Sequence, residues 1–350
     1  MSGQATAALA VACSVVCACI SVYYARAAAP PSSPSSLLAN NKAKAPTLAA
    51  KKRVVRLATL DAGDVPRALR PSFYFTEIGR FKHSTLFDDA PSVFSVLDKL
   101  QTYITSWLAS HEPLCPTTIV PCSGTANATV HVSTENTEVL QLCSIFNYSD
   151  HSDRQLVLGS GVRVMGGVFD VSEGSIFIGA NTVIEPHVYI KGPAIIGESC
   201  TLRHGAYLRG DVLIGDRVVL RCEVKHALIM DRAELCHPGY CGDSLCGYKS
   251  HFANQVSTAN LTLLAPSSGT GVCIDVDGVT YDTGRRKIGV ILGDRSQLGC
   301  NVATDPCTLL GPNTSVYALT RLNKGVYGPN ELVKNKPMET GVIERAPLRS

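Results

Sequence analysis

The chain has 350 residues, 45% of them hydrophobic and 17% charged, with a formal net charge of +3. That balance excludes a wholly disordered chain and leaves room for one large domain or two ordinary ones. Residues 1–60 hold seven Lys/Arg and no Asp/Glu; the rest carries 25 basic against 29 acidic residues, a formal −4, so the body is not basic and gives no reason to expect a nucleic-acid partner.

Residues 1–28 read as a signal or anchor segment. The uncharged run from Ala5 to Ala25 is 21 residues long, enough to span a bilayer and close to a long signal-peptide core. Ala25, Ala27 and Ala28 could serve as a cleavage site. Residues 29–69 read as a transit-like or disordered linker, because the stretch from Pro30 to Arg53 is basic, acid-free and rich in Ser, Ala and Pro. Two expectations lead: an organelle-targeting bipartite leader of plastid type, or a membrane anchor confined to residues 5–25. In the second case the positive charge that follows would keep the body cytosolic. A secretory signal is the third reading. Of fourteen cysteines, the eleven beyond the leader are odd in number and scattered through apolar patterns. They read as reduced core residues, which weighs against secretion.

Residues 70–150 form a lead-in and a helical cap. Val93, Val96, Leu97, Leu100, Ile104 and Leu108 follow helical spacing, with an end expected near Glu112-Pro113. The helix is expected to cover the open edge of the coil that follows.

From Ile176 the chain divides into hexads: IFIGAN, TVIEPH, VYIKGP, AIIGES, CTLRHG, AYLRGD, VLIGDR, VVLRCE. Their third positions are Ile178, Ile184, Ile190, Ile196, Leu202, Leu208, Ile214 and Leu220. A strict period of six is neither helical nor a simple alternation. It fits a parallel β-solenoid in which each hexad is one side of a triangular coil. The pattern resumes with Leu292, Leu298, Leu310 and Val316, Thr304 being the exception. The solenoid is expected over 151–335, followed by a tail, 336–350. An insertion, 262–289, interrupts it, with Asp277-Gly278 marking a two-residue hairpin turn. The fold class is therefore an all-β solenoid with a short helical cap and a hairpin insertion.

The segments LRHGAYLRGDVLIGD, EVKHALI, HPGYCGDSLCG, TANL, GDRSQLGCN and LLGPNTSVY resemble the acetyltransferase half of bacterial bifunctional N-acetylglucosamine-1-phosphate uridyltransferases. The chain is more similar still to stand-alone relatives labelled sugar-nucleotide pyrophosphorylases, which open with a segment like YFTEIGRFKHSTLFDDAPSVFSVLDKL. The likeness covers residues 70–335. It implies a left-handed parallel β-helix, a homotrimer, and acetyl-coenzyme A as co-substrate. No glycine-rich nucleotidyltransferase signature precedes the solenoid, and 61–150 is too short for that domain, so pyrophosphorylase activity is not expected.

The resemblance implies roles residue by residue. His237, in HPGYCGD, falls at the general base and Tyr240 at a substrate-positioning hydroxyl. Arg203 falls at the phosphate-binding arginine, Lys225 at the lysine of the EVK segment, and Asn260 at a substrate asparagine. His251 takes the place of a further substrate asparagine, a departure from the family pattern. Lys287 and Cys300 align loosely with the coenzyme A side. The structural alternatives are ion pairs of Arg203 and Arg209 with Asp211 or Glu223, a solvated Lys225, a packed Tyr240, and an Asn260 used in a turn. Cys236, Cys241 and Cys246 are five apart with no CxxC pair, so no metal is expected.

Three functions compete. The first is acyl-coenzyme A-dependent transfer to an amino-sugar phosphate or nucleotide sugar. The second is a non-catalytic binding or assembly protein of the same family, favoured by the departures at His251 and Ala253. The third, a γ-type carbonic anhydrase suggested by YLRGD, lacks the His-x4-His pair such a metal site needs.

Overall fold

The computed structural model describes residues 54–111, 117–119, 129–133, 137–139, 143–262, 271–335 and 343–347, all within one compact unit, 51–350. The leader run 5–25 and the linker up to residue 53 lie outside the described residues. Among the described residues no helix is long and apolar enough to cross a membrane.

The fold is a left-handed parallel β-helix of triangular section. In each coil the chain passes from a first wall (Ile176–Ile178, Ala194–Ile196, Val212–Ile214) to a second (Val183–Ile184, Thr201–Leu202, Val219–Leu220) and a third (Tyr189–Lys191, Tyr207–Arg209). Strands stack in parallel register, as in Ala194↔Val212 and Leu202↔Leu220. The third-position aliphatics and their inward partners form one continuous core along the axis. Two coils are short: Val212 pairs with Ala227, and Ala227 with Ser244. There, single strands, Glu223–Ile229 and Gly239–Cys246, turn a corner and serve both the third and the first wall.

Corners between the first and second walls place Asn181, Ser199, Arg217, Arg232, Lys249, Arg295, Asn313 and Asn330 at positive φ, between 53° and 59°. Asn tolerates this left-handed region; Arg and Lys rarely adopt it. Four consecutive coils therefore stack a cation at the same strained corner.

The first wall explains the N-terminal segment. Its strands are apolar on both faces, and Ile195, Leu213, Leu228, Leu245, Ile291 and Leu309 point outward yet are buried. A sheet face of that kind needs a second layer. Helix α1 (Pro71–Tyr74) and helix α2 (Val93–Ser110) supply it, with Phe94, Leu97, Leu100 and Ile104 packed on the wall. Ser92 caps α2, its hydroxyl accepting from Ser95 N at 3.2 Å. The expectation that this helix covers the first coil's edge is therefore corrected: it lies along a wall. The edge carries instead an antiparallel strand, Thr117–Ile119 on Thr129–Ser133.

Three boundaries also move. Residues 54–69, assigned by composition to the linker, are folded: Val54–Arg56 is a strand, and Leu57, Val65 and Leu69 are buried. The solenoid starts at Thr129, not 151, since Thr129–Ser133 already pairs in parallel with Gln155–Leu158; its early coils lack the regular hexad. The C-terminal segment contributes Ile343–Pro347, antiparallel to Glu331–Asn335. In the insertion, Cys273–Val276 and Val279–Asp282 form a hairpin with positive φ at both Asp277 and Gly278, and Val54–Arg56 adds a third strand.

Candidate functional site

The twelve-residue segment from Cys236 to Gly247 runs through a corner and two walls, so its side chains part company. Cys241 and Cys246 turn inward and are fully buried, their sulfurs 3.8 Å apart. The Cys241 sulfur and burial push the Cys246 thiol well above its ordinary pKa. Both fill the core as small residues. Cys236, His237 and Tyr240 remain outside it.

Two neighbourhoods result, one at each edge of the third wall. The first is the corner between the second and third walls. His237 stands there, exposed. Arg203 reaches the same corner from two coils away and donates through Nη1 to the Cys236 carbonyl at 3.3 Å. His251 joins from the next coil: Glu234 and His251 are register partners, with Glu234 Oε2 3.7 Å from His251 Nδ1. Burial lowers the pKa of His251, Glu234 opposes that, and the nearby His237 adds to it. His251 is thus a neutral imidazole at neutral pH. Cys300 lies exposed on the same corner, farther along the axis.

The second neighbourhood is the corner between the third and first walls. Asn260 Nδ2 donates to the Tyr240 phenol oxygen at 3.0 Å and to Asp243 Oδ2 at 2.6 Å. Burial first, then the Asp243 charge, raises the Tyr240 pKa. The phenol therefore stays protonated, and with Asn260 as its donor its own O–H is free to point outward. Lys225 is half-buried nearby, its backbone in register with Gly242. Lys287 lies in a cleft of about 580 Å³ with Arg285, Arg286, Asp98, Gly284 and Leu261. Lys287 and Cys300 occupy different corners of the section, so the single chain does not bring them together.

Arg209 behaves as the structural alternative anticipated, pairing with Glu223 at 2.7 Å. Asp211 does not meet either arginine; its Oδ2 lies 3.6 Å from His226 Nδ1. His226 Nε2 is 3.1 Å from the Leu97 carbonyl. Arg285 completes the group, contacting Asp98 of α2, His226 Nε2 at 3.3 Å and Asp243 Oδ1 at 3.9 Å. This polar chain ties the insertion and helix to the Tyr240–Asn260 pair. Sequence reasoning missed it, because Asp211, His226 and Asp243 share a corner only through the two short coils. Their one signal is local: each sits where a hexad corner must turn, and each has positive φ.

The comparisons with known proteins agree on the repeat. Residues 175–210 match the family model "Bacterial transferase hexapeptide (six repeats)". An uncharacterized acetyltransferase, YaiX, from Escherichia coli O6:K15:H31 is 32% identical over 186 residues, covering 52% of this chain and 74% of that protein. A bifunctional sugar-1-phosphate nucleotidylyltransferase/acetyltransferase of Sulfurisphaera tokodaii is 31% identical over 107 residues, covering 30% of this chain and 26% of its own length. The chain thus spans only part of the bifunctional relatives. Among solved structures, the UDP-N-acetylglucosamine O-acyltransferase (LpxA) of Moraxella catarrhalis aligns over 64% of this chain and 74% of its own, with 12% identity and a TM-score of 0.34.

Proposed function

The chain belongs to the hexapeptide-repeat acyltransferase family, and on that premise we propose that it moves an acetyl or acyl group from coenzyme A to an amino-sugar phosphate or nucleotide sugar. In this reading His237 is the general base. It takes the proton of the attacking amine as nitrogen bonds to the thioester carbonyl carbon, and the carbon–sulfur bond then breaks to release the coenzyme A thiolate. Tyr240, protonated and with its O–H unclaimed, is the candidate donor to substrate oxygen. Arg203 and Lys225 attract the acceptor's phosphate, and Asn260 fixes Tyr240. His251 is placed beside the base. Arg286 and Lys287 offer cations to the coenzyme phosphates. A homotrimer would let Lys287 of one copy and Cys300 of another face one groove.

The observation that carries the reading is the Tyr240 phenol, held by Asn260 at 3.0 Å on the strand that continues from His237. A second reading, binding without turnover, is favoured by one fact: among the described residues no hydrogen-bond partner orients the His237 ring.

The test uses the full chain, since the strand Val54–Arg56 pairs with the insertion hairpin and belongs to the fold. Thermal midpoints are measured with acetyl-coenzyme A and with UDP-sugars, alongside thiol release, for the wild type and His237→Gln. A ligand that binds only the folded state raises the midpoint. Stabilisation in both proteins, with thiol release lost by roughly 100-fold or more in the variant, supports the proposal. Stabilisation without thiol release in the wild type favours binding alone. No shift with either ligand class at millimolar concentration sinks both readings.

A further inference from the structure

We propose that Glu234, Cys236 and His251 form a binding site for a divalent transition metal of the zinc class, on the outer face of the second wall. The site goes beyond acyl transfer and does not depend on His237 acting as a base.

The geometry follows from strand alternation and coil register. Glu234 and Cys236 are two apart on extended chain, with Leu235 between them fully buried, so both face outward. His251 is the register partner of Glu234 in the next coil. One carboxylate oxygen, the Cys236 sulfur and one imidazole nitrogen all lie within 4.8 Å of one another. Tetrahedral zinc with bonds of 2.0–2.3 Å holds its ligand atoms about 3.3–3.8 Å apart. Closing the gap takes about 1 Å of movement, which Glu234, with a side chain 60% exposed, can supply by rotation.

The donor chemistry is selective. Imidazole and thiolate suit zinc and its neighbours in the first transition row, whereas magnesium and calcium take oxygen ligands. Three protein ligands leave a fourth position open, the arrangement of reactive rather than purely structural zinc. Glu234 and His251 line a cleft of about 510 Å³ that also reaches Arg217, Arg232 and Lys249. These cations would repel a bare metal ion. A carboxylate and a thiolate, however, cancel the charge of a divalent ion, and the surrounding cations then favour an anion, such as a phosphate or carboxylate, in the fourth position. The site escapes spacing rules because its third ligand comes from the adjacent coil, 17 residues from Glu234.

The experiment takes the full chain, removes metal with a chelator, and titrates zinc against a chromophoric competitor. A second arm replaces zinc by cobalt and records the absorption spectrum. The expected result is one tight equivalent per chain and a thiolate-to-cobalt charge-transfer band, both lost in Cys236→Ser and in His251→Ala and both kept in Cys300→Ser. The cobalt band of the wild type reads thiolate ligation without any variant, so a variant that misfolds does not blunt the test. Substoichiometric zinc, a cobalt spectrum without the charge-transfer band, or tight zinc retained in folded Cys236→Ser would overturn the proposal.

Discussion

Asn260 and Asp243 meet across one coil, the asparagine Nδ2 lying 2.6 Å from Asp243 Oδ2 while also donating to Tyr240. Asp243 is buried and at positive φ, so its carboxylate depends on few donors. Asn260→Leu should therefore cost about 1–3 kcal/mol, the penalty for leaving a buried polar group short of a partner. Tyr240→Phe removes an acceptor that is less buried and should cost less. Urea denaturation of the two variants checks the order; a larger loss for Tyr240→Phe would contradict it.

Gly242 offers an indirect handle on the same phenol. A Cβ there would run into the Tyr240 side chain, so Gly242→Ala should displace the ring from Asn260 while leaving Tyr240 in place. The expected outcome is a blue-shifted tyrosine difference spectrum and a loss of thiol release comparable to that of Tyr240→Phe. An unchanged spectrum would show that the ring does not lie over Gly242.

Leu213 and Leu208 are one strand apart and fully buried, Leu208 inside the coil and Leu213 outside it beneath the N-terminal layer. Truncation of either to Ala should cost about 2–5 kcal/mol. A bare solenoid wall would lose almost nothing at Leu213. Equal denaturation midpoints for Leu213→Ala and the wild type would therefore refute the seating of α2 on this wall.

His83 sits between Phe81, Tyr103 and Trp107, with its Nδ1 3.0 Å from the Tyr103 hydroxyl. Burial lowers its pKa from 6.5 to about 4. Between those two values the unfolded chain binds the proton that the folded chain resists. This contribution to stability is thus complete above pH 6.5 and falls away as the pH drops toward 4. Its full size is on the order of 3 kcal/mol. A His83→Gln variant should show a shallower fall of thermal midpoint over that window; parallel curves would rule the histidine out as the cause.

Arg217 occupies a left-handed corner at φ 59°, and its guanidinium has no hydrogen-bond or ion-pair partner among the described residues. Asn tolerates that conformation better, so Arg217→Asn should stabilise the protein by up to about 1 kcal/mol. A destabilised variant would show that the guanidinium is engaged by the fold.

The solenoid was legible in the sequence because its cause is local. Each inward aliphatic recurs after one side of the coil, so the period of six from Ile178 to Leu220 names the architecture directly. The helix around Leu97 and the hairpin turn at Asp277-Gly278 were readable for the same reason, since helical spacing and turn chemistry act over a few residues. Tertiary structure alone decided what lies beside what. The triplets AII, VLI and ALI show a wall that is apolar on both faces, yet only packing reveals that α2 covers it. The coil from Val212 to Ala227 breaks the count, and with it any projection of Asp211, His226 and Asp243 onto one corner. Glu234, Cys236 and His251 become neighbours because parallel register sets residue 251 beside residue 234, a relation fixed by the length of one coil rather than by any motif.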